Sequence, residues 1–256
     1  MKRLMRFGIY HMVIGRLLGK TGIRNLSQHY LSGNLSVGSL VKKIRQHRHR
    51  YYKSIDKELI IESYYQWYGV LPAIPHAFKQ YKIVAVVRDP RTWVSSWINF
   101  GAHYGSKDSV MSCGKSRLNP SMIGDTFYID RWHEMSRFQK LCWTWKTVYT
   151  TIVDFIRGNQ NAMLVRYEDI FLSSDKQIHA SLLLNFITTF ADRSFPFSLH
   201  SDLLEKKIHA TDRKQFPDWQ QWDRKTCKQL SEICEPLMHS LGYGRERDWQ
   251  DMVGET

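Results

Sequence analysis

The chain contains 256 residues, of which 43% are hydrophobic and 13% aromatic, so it can bury a core and is not a disordered protein. We find no internal repeat, and the length suits one domain spanning residues 1–256. Lysine and arginine total 37 against 24 acidic residues, which is a formal charge of +13. Such a surplus favours anionic partners, whether nucleic acid, phospholipid or phosphorylated and sulfated small molecules, without choosing among them.

Membrane, targeting and metal signals are weak in the sequence. No apolar run reaches the roughly 18 residues of a membrane span, and the first residues lack the apolar stretch and cleavage site of a signal peptide. The four cysteines form no C-x-x-C pair and join no histidine cluster, so we expect no metal. Cys142 and Cys227 fall in apolar helical patterns, which predicts buried free thiols and a reducing, cytoplasmic location.

Three short apolar segments predict buried strands. They are residues 59–61, 83–87 and 163–165, and continuous apolar runs between polar residues suit strands that are covered on both faces. We expect 83–87 to be the central strand, flanked by the other two. The stretches 101–114 and 119–127 predict a long irregular region.

Two longer segments predict helices. Apolar residues recur at helical steps over 135–156, where Gly158 follows as a stop, and over 227–241, where Gly242 follows. Strands that alternate with helices indicate an α/β layer fold with a mostly parallel sheet.

The strongest motif follows the central predicted strand. Arg88 ends that strand, while Asp89 and Pro90 suit the cap and first turn of a helix. Ligands of open parallel sheets bind at the carboxyl ends of strands, and a guanidinium there can hold a phosphate through two parallel hydrogen bonds. Ser96 is the polar member of an otherwise aromatic helical face, and a bound phosphate would give its hydroxyl a partner. The alternative is a salt-bridged Arg88 and a solvated Ser96.

Arginine directly after an apolar strand, with serine eight positions later, resembles the sulfotransferase signature for the 3'-phosphate of 3'-phosphoadenosine 5'-phosphosulfate (PAPS). The resemblance covers residues 58–242. It implies a three-layer α/β fold like that of P-loop nucleotide kinases, with a mostly parallel central sheet flanked by helices. It also implies transfer of a sulfonate group from PAPS to a hydroxyl or amine acceptor, and this acceptor could be a carbohydrate. Neither a metal nor a nucleic acid is implied.

Two further segments support this resemblance. Tyr167 belongs to an Arg-Tyr-Glu-Asp segment and would lie beside the adenine, whereas Glu168 suits a structural role at the start of the next helix. Arg213 and Lys214 match the late basic segment that closes over the 3'-phosphate in the family, and an exposed basic loop is the alternative. Gln215 stands where many members have glycine, whose backbone N–H can approach an anion closely.

The family often carries its catalytic base, commonly histidine, at the end of the first predicted strand. Glu62 is the nearest proton acceptor there, with Tyr64 close by. The surrounding aromatic residues resemble the acceptor side of members that act on carbohydrates, and an aromatic shelf under the sheet is the alternative. His103 is a second candidate base, although a lone histidine in a loop is more often a surface residue.

The phosphate loop that should open the family's domain is poorly matched. Residues 15–22 are one residue short of the P-loop pattern. If Lys20 occupies this loop, its ammonium group would lie at the phosphate oxygen that leaves the sulfur. Two explanations stay open. The loop has diverged but still binds the phosphosulfate, or the chain begins after the true loop, and we favour the second explanation.

Two other functions compete with this interpretation. The first is a P-loop kinase or other nucleotide-binding enzyme, and the only support for it is the same incomplete loop. The second is a non-enzymatic protein that binds nucleic acid or other anions. It is suggested by residues 42–53, where basic residues are followed by aromatic ones. Such a stretch is more often the solvated face of a helix.

Overall fold

The computed structural model describes residues 22–53, 55–101, 103–108, 117–200, 202–205 and 216–254. Over these residues the protein is of the α/β class, mostly helical, with a small parallel sheet of two strands. The strands are β1 (Ile83–Val87) and β2 (Ala162–Arg166), and two 3-10 helices cover Tyr65–Ala73 and Trp219–Gln221. The helices are α1 (Ile23–Leu31), α2 (Val37–Tyr52), α3 (Ile74–Ala77), α4 (Pro90–Phe100), α5 (Pro120–Ile123), α6 (Thr126–Ile129), α7 (Arg137–Ile156), α8 (Tyr167–Phe171), α9 (Lys176–Thr188), α10 (Asp202–Glu205), α11 (Arg224–Ser240) and α12 (Arg247–Val253).

The two strands pair in parallel, from Ile83 opposite Ala162 to Val87 opposite Arg166. This confirms two of the three predicted strands, whose β-branched residues suit a pleated surface. Both strands therefore end at the same edge of the sheet.

The third predicted strand is wrong. Residues 59–61 are irregular backbone, and Ile61 is 67% exposed, so the segment lacks the cover on both faces that its apolar residues suggested. Within the described residues β1 consequently pairs on one side only and is not flanked by two strands.

The turn from β1 into α4 forms as predicted. The side chain of Asp89 accepts a hydrogen bond from the backbone N–H of Arg91 at 2.8 Å, and Pro90 occupies the first helical turn. Gly101 ends the helix in the left-handed conformation, with φ 78°. Residues 88–100 thus form a direct strand-to-helix connection that begins with Arg88.

The two long predicted helices are also confirmed, and they pack together as the centre of the core. Ser136 and Gln139 form a reciprocal capping box at the start of α7, and Gly158, with φ 77°, follows the helix end. The Cys234 thiol of α11 lies 3.5 Å from the backbone carbonyl of Cys142 in α7. Cys142 and Cys227 are buried free thiols, as predicted.

A smaller apolar cluster joins the first part of the chain to this core. It contains buried residues of α1, α2 and the 3-10 helix Tyr65–Ala73. The same 3-10 helix contributes Tyr68 to the main core, so it connects the two clusters. The predicted irregular region is only partly irregular, because the short helix α5 lies within 119–127 and α6 begins within it.

Candidate functional site

Arg88 and Tyr167 lie side by side at the carboxyl edge of the sheet. Val87 pairs with Arg166, so the residues that follow them meet at the same edge. The guanidinium carbon of Arg88 lies 4.9 Å from the centre of the Tyr167 ring, and its Nε donates to Thr92 Oγ1 at 3.0 Å. Its two terminal nitrogens have no hydrogen-bond or ion-pair partner in the described part of the chain. They are therefore available to an anion.

Ser96 lies one helical turn beyond Thr92 on α4. Residues four apart share a helix face, so the Arg88 side chain lies along the face that carries Ser96. Ser96 is exposed, and the hydrogen bond of the Arg88 side chain goes to Thr92 and not to Ser96. Ser96 is therefore solvated, which is the alternative considered for it, whereas Arg88 forms no salt bridge with any of the described residues.

Glu168 holds this edge in place. Its Oε1 accepts from the backbone N–H of Asp89 at 3.1 Å, and its Oε2 accepts from the hydroxyl of Tyr243 at 2.6 Å. Burial and the bond to Glu168 raise the pKa of Tyr243, so that the hydroxyl stays a donor. Glu168 therefore links the ends of both strands to the segment that follows α11, which agrees with the structural role expected for it.

An ion network centred on the buried Arg91 was not predicted. Arg91 is 2% exposed and bonds Asp89, at 2.6 Å, and Glu246, at 2.9 Å. Its guanidinium carbon lies 4.3 Å from the ring centre of Trp219 and 5.0 Å from that of Trp249. Burial alone would lower the pKa of Arg91, but the hydrogen bonds to the two carboxylates outweigh it and raise the pKa. Asp89 belongs to the Arg-Asp-Pro-Arg segment itself, but Glu246, Trp219 and Trp249 come from distant parts of the chain, so the segment alone could not identify them.

Glu62, the proposed base, has its ionic partner on α2 and not at this edge. Glu62 forms an ion pair of 3.1 Å with Arg48 of α2, and burial raises the pKa of its carboxyl. No contact joins Glu62 to Arg88 or Tyr167 within the described ranges. Lys20, Arg213 and Lys214 lie outside the described residues.

His103 is buried rather than on the surface, which corrects the sequence-based expectation for a loop histidine. It is 4% exposed, and its ring stacks on Trp97 with centroids 4.1 Å apart and an interplanar angle of 6°. Its Nε2 lies 2.9 Å from the hydroxyl oxygen of Tyr65. Burial, reinforced by Arg117 and other nearby arginines, lowers the pKa of His103 to about 3. The imidazole is therefore neutral at physiological pH, and a role as a general base is not supported.

The depressed pKa of His103 predicts a loss of stability on acidification. An unfolded histidine takes up a proton near pH 6.5, whereas the folded one stays neutral until about pH 3. The unfolded state thus binds more protons between these values, and the free energy of unfolding should fall as pH decreases by up to about 1.4 kcal/mol per pH unit. Urea denaturation of wild type and His103→Asn between pH 7 and pH 4 measures this contribution. A variant that keeps the full wild-type slope would contradict it.

A small cavity of about 10 Å³ lies behind the Tyr65–His103 pair. Its polar lining includes Gln28, Tyr104 and Thr144, and this volume approaches that of a single water site. No group of three or more histidine, cysteine, aspartate or glutamate side chains able to hold a metal occurs among the described residues. No helix in the described ranges is long and apolar enough to cross a membrane.

Comparison of the chain with protein-family models, with curated proteins and with solved structures found no match. The features that describe its candidate site are therefore those of the chain itself: an arginine and a tyrosine lie at the shared carboxyl edge of two parallel strands.

Proposed function

We propose that this protein is a PAPS-dependent sulfotransferase. In this proposal it transfers a sulfonate group from PAPS to a hydroxyl or amine acceptor, such as a carbohydrate, in the cytoplasm and without a metal. The proposal depends chiefly on the Arg88 guanidinium at the carboxyl edge of the sheet, which lies over the Tyr167 ring and whose terminal nitrogens have no partner in the described part of the chain. Ligands of parallel α/β sheets bind at this edge.

Each residue of the edge has a role in this proposal. Arg88 forms charge-assisted hydrogen bonds with the 3'-phosphate, and the hydroxyl of Ser96 adds a further donor from the same helix face. Tyr167 offers its ring to the adenine. We also propose that the phosphates are contacted by Lys20, Arg213 and Lys214. Glu62 is still the proposed base, and only the family resemblance supports that role.

The reaction proposed is an in-line displacement at sulfur. The acceptor oxygen forms a bond to sulfur as the bond between sulfur and the phosphate oxygen breaks, and the acceptor proton leaves to a base. The products are the sulfated acceptor and adenosine 3',5'-bisphosphate. Positioning of the two substrates and stabilisation of charge on the departing phosphate supply the acceleration.

The basic residues of α2 give little support to a nucleic-acid-binding protein. Arg45 donates to the backbone carbonyls of Ala77 and His76, and Arg48 pairs with Glu62, so both arginines are used within the fold. Lys42 and Lys43 are exposed, as expected for the solvated face of a helix.

Calorimetric titration of the full chain tests the proposal. Adenosine 3',5'-bisphosphate should bind without magnesium and more tightly than adenosine 5'-phosphate, and transfer of radiolabelled sulfonate from PAPS should be measured on an acceptor panel. Magnesium-dependent preference for ATP would indicate a kinase instead. Salt-dependent retention on nucleic acid that the bisphosphate does not affect would favour the anion-binding protein.

A further inference from the structure

Helix α9 has more apolar surface than the rest of the described protein covers. Apolar residues occupy most of its circumference between Lys176 and Thr188, and a helix with this composition is normally buried. Only Ala180 and Thr188 are buried in α9, and they lie two turns apart on one side of it. Ile178 and Leu182 lie roughly on the opposite side and are 61% and 58% exposed. This side of α9 therefore has no cover within the described part of the chain.

The exposed side of α9 borders a groove of about 510 Å³. Five residues of α9 and one residue of the loop that follows line this α9 groove: Gln177, Ile178, Ser181, Leu182, Asn185 and Phe197. Phe197 is 43% exposed. The three apolar side chains together present roughly 300 Å² to solvent, and a contiguous apolar patch of this size is often functional. The α9 groove is therefore a candidate interaction surface.

No charged side chain lines the α9 groove among the described residues. The charges nearby are engaged within the protein, because Lys176 pairs with Glu205 and the Asp192 carboxylate accepts from the Gln80 amide. The formal charge of +13 consequently arises elsewhere on the chain. An acidic protein or a nucleic acid would meet no cation in this groove. An uncharged surface fits the groove, since it leaves no charge buried without a partner.

The polar residues of the α9 groove are spaced so that they can pair with a second copy of themselves. Gln177, Ser181 and Asn185 lie four residues apart and form one row along the helix. If a second α9 runs antiparallel about a two-fold axis at Ser181, Gln177 of each copy lies opposite Asn185 of the other. The Thr189 hydroxyl already donates to the Asn185 oxygen at 3.3 Å, so the Asn185 amide nitrogen donates in this pair and the Gln177 oxygen accepts. The small side chain of Ser181 at the crossing lets the two helices approach closely.

We propose that the α9 groove is a dimer interface, in which two copies of this chain pack their α9 helices antiparallel across a two-fold axis near Ser181. Two-fold dimers are the commonest assemblies of soluble proteins, and they require a self-complementary surface of this kind. With its polar lining, each copy contributes roughly 500 Å², so the pair buries roughly 1,000 Å², at the lower limit for a specific interface. The dimer is thus expected to be weak, with a dissociation constant in the micromolar range. The inference does not depend on the proposed function.

Sedimentation velocity of the full chain between about 1 and 200 µM tests the dimer. Ile178→Arg should raise the dissociation constant more than tenfold, because it places a charge in the buried contact of both copies. The matched control is Ile61→Arg, which adds the same charge at a side chain that is 67% exposed and outside the groove. Ile61→Arg should dimerise like wild type. Circular dichroism verifies that both variants are folded.

Salt dependence separates this apolar interface from one made by ion pairs. Two copies that each carry a charge of +13 repel one another, and salt screens this repulsion. Raising sodium chloride from about 50 to about 500 mM should therefore strengthen the dimer, whereas ion pairs would weaken. A chain that stays monomeric at every concentration and salt level would overturn the inference, as would a dimer that salt dissociates or equal losses in the two arginine variants.

Disulfide crosslinking tests the arrangement of the two helices, and it does not rely on Ile178→Arg. Ser181→Cys should form a crosslinked dimer under mild oxidation, because position 181 lies at the proposed axis. Gln177→Cys and Asn185→Cys should crosslink when the two variants are mixed, and much less when either is alone. Ser174→Cys is the matched control, since Ser174 is exposed and outside the groove, and it should not exceed the background that wild type shows through its own cysteines. Equal crosslinking at positions 174 and 181, or crosslinking of Gln177→Cys mainly with itself, would overturn the inference.

Discussion

Replacement of Arg88 by alanine is expected to weaken the binding of adenosine 3',5'-bisphosphate roughly ten- to a hundredfold. The reason is that the two terminal nitrogens of Arg88 have no partner among the described residues, and Arg88 is proposed to contact the 3'-phosphate alone. Loss of a charge-assisted contact of this kind costs about 1.5–3 kcal/mol. Adenosine 5'-phosphate never makes that contact, so its weaker binding should barely change. Calorimetric titration of both nucleotides measures the difference.

Arg157→Ala provides the matched control for this experiment. The Arg157 side chain is 78% exposed and precedes β2, so it lies at the opposite end of the sheet from Arg88. Its replacement removes the same charge and should leave both affinities unchanged. Equal losses of the two nucleotides in Arg88→Ala would mean that Arg88 supports the fold, and equal losses in both variants would mean that only overall charge matters.

Replacement of Arg91 by alanine is expected to lower the free energy of unfolding by about 3–5 kcal/mol, because one partner of a buried ion network is removed. The Asp89 carboxylate would remain buried without its cation, and the guanidinium between Trp219 and Trp249 would be lost. A domain has a total stability of about 5–15 kcal/mol, so a large part of the population could unfold. Urea denaturation followed by circular dichroism measures the change.

The control for Arg91 is Arg247→Ala. Arg247 is exposed on α12, close in sequence to Glu246, and its only ion pair in the described residues is a long contact of 3.9 Å with Asp251. A surface pair of this kind contributes little, so the variant should unfold close to wild type. A loss below about 1 kcal/mol in Arg91→Ala would show that the network is not a stabilising centre.

Sequence patterns predicted the local parts of the fold well. The run at Ile83–Val87, the Asp89 cap with Pro90, and the long helix ended before Gly158 all form as expected. Each depends on interactions between residues close in the chain, such as a capping hydrogen bond or a helical apolar face. The strand expected at 59–61 failed because a strand needs a neighbour, and a three-residue apolar run does not specify one.

The candidate site was predicted in part. Arg88 and Tyr167 were each selected from their own segments, and the parallel pairing of β1 and β2 places them together. Glu62 was selected as the base from its position after the failed strand, and it is instead paired with Arg48. The sequence offered no signal for the Tyr65–His103 bond, whose members are 38 residues apart.

The sequence by itself determined the α/β class, the strand-to-helix turn that carries Arg88 and the burial of the central helices, because these follow from local propensities and from the period of apolar residues. Only the tertiary structure decided that Arg91 is buried between two tryptophans, that His103 bonds Tyr65, and that residues 59–61 do not form a strand beside β1. These arrangements depend on which distant residues pack against one another. Packing of that kind fixes the burial of a side chain, and burial then sets its partners and its pKa.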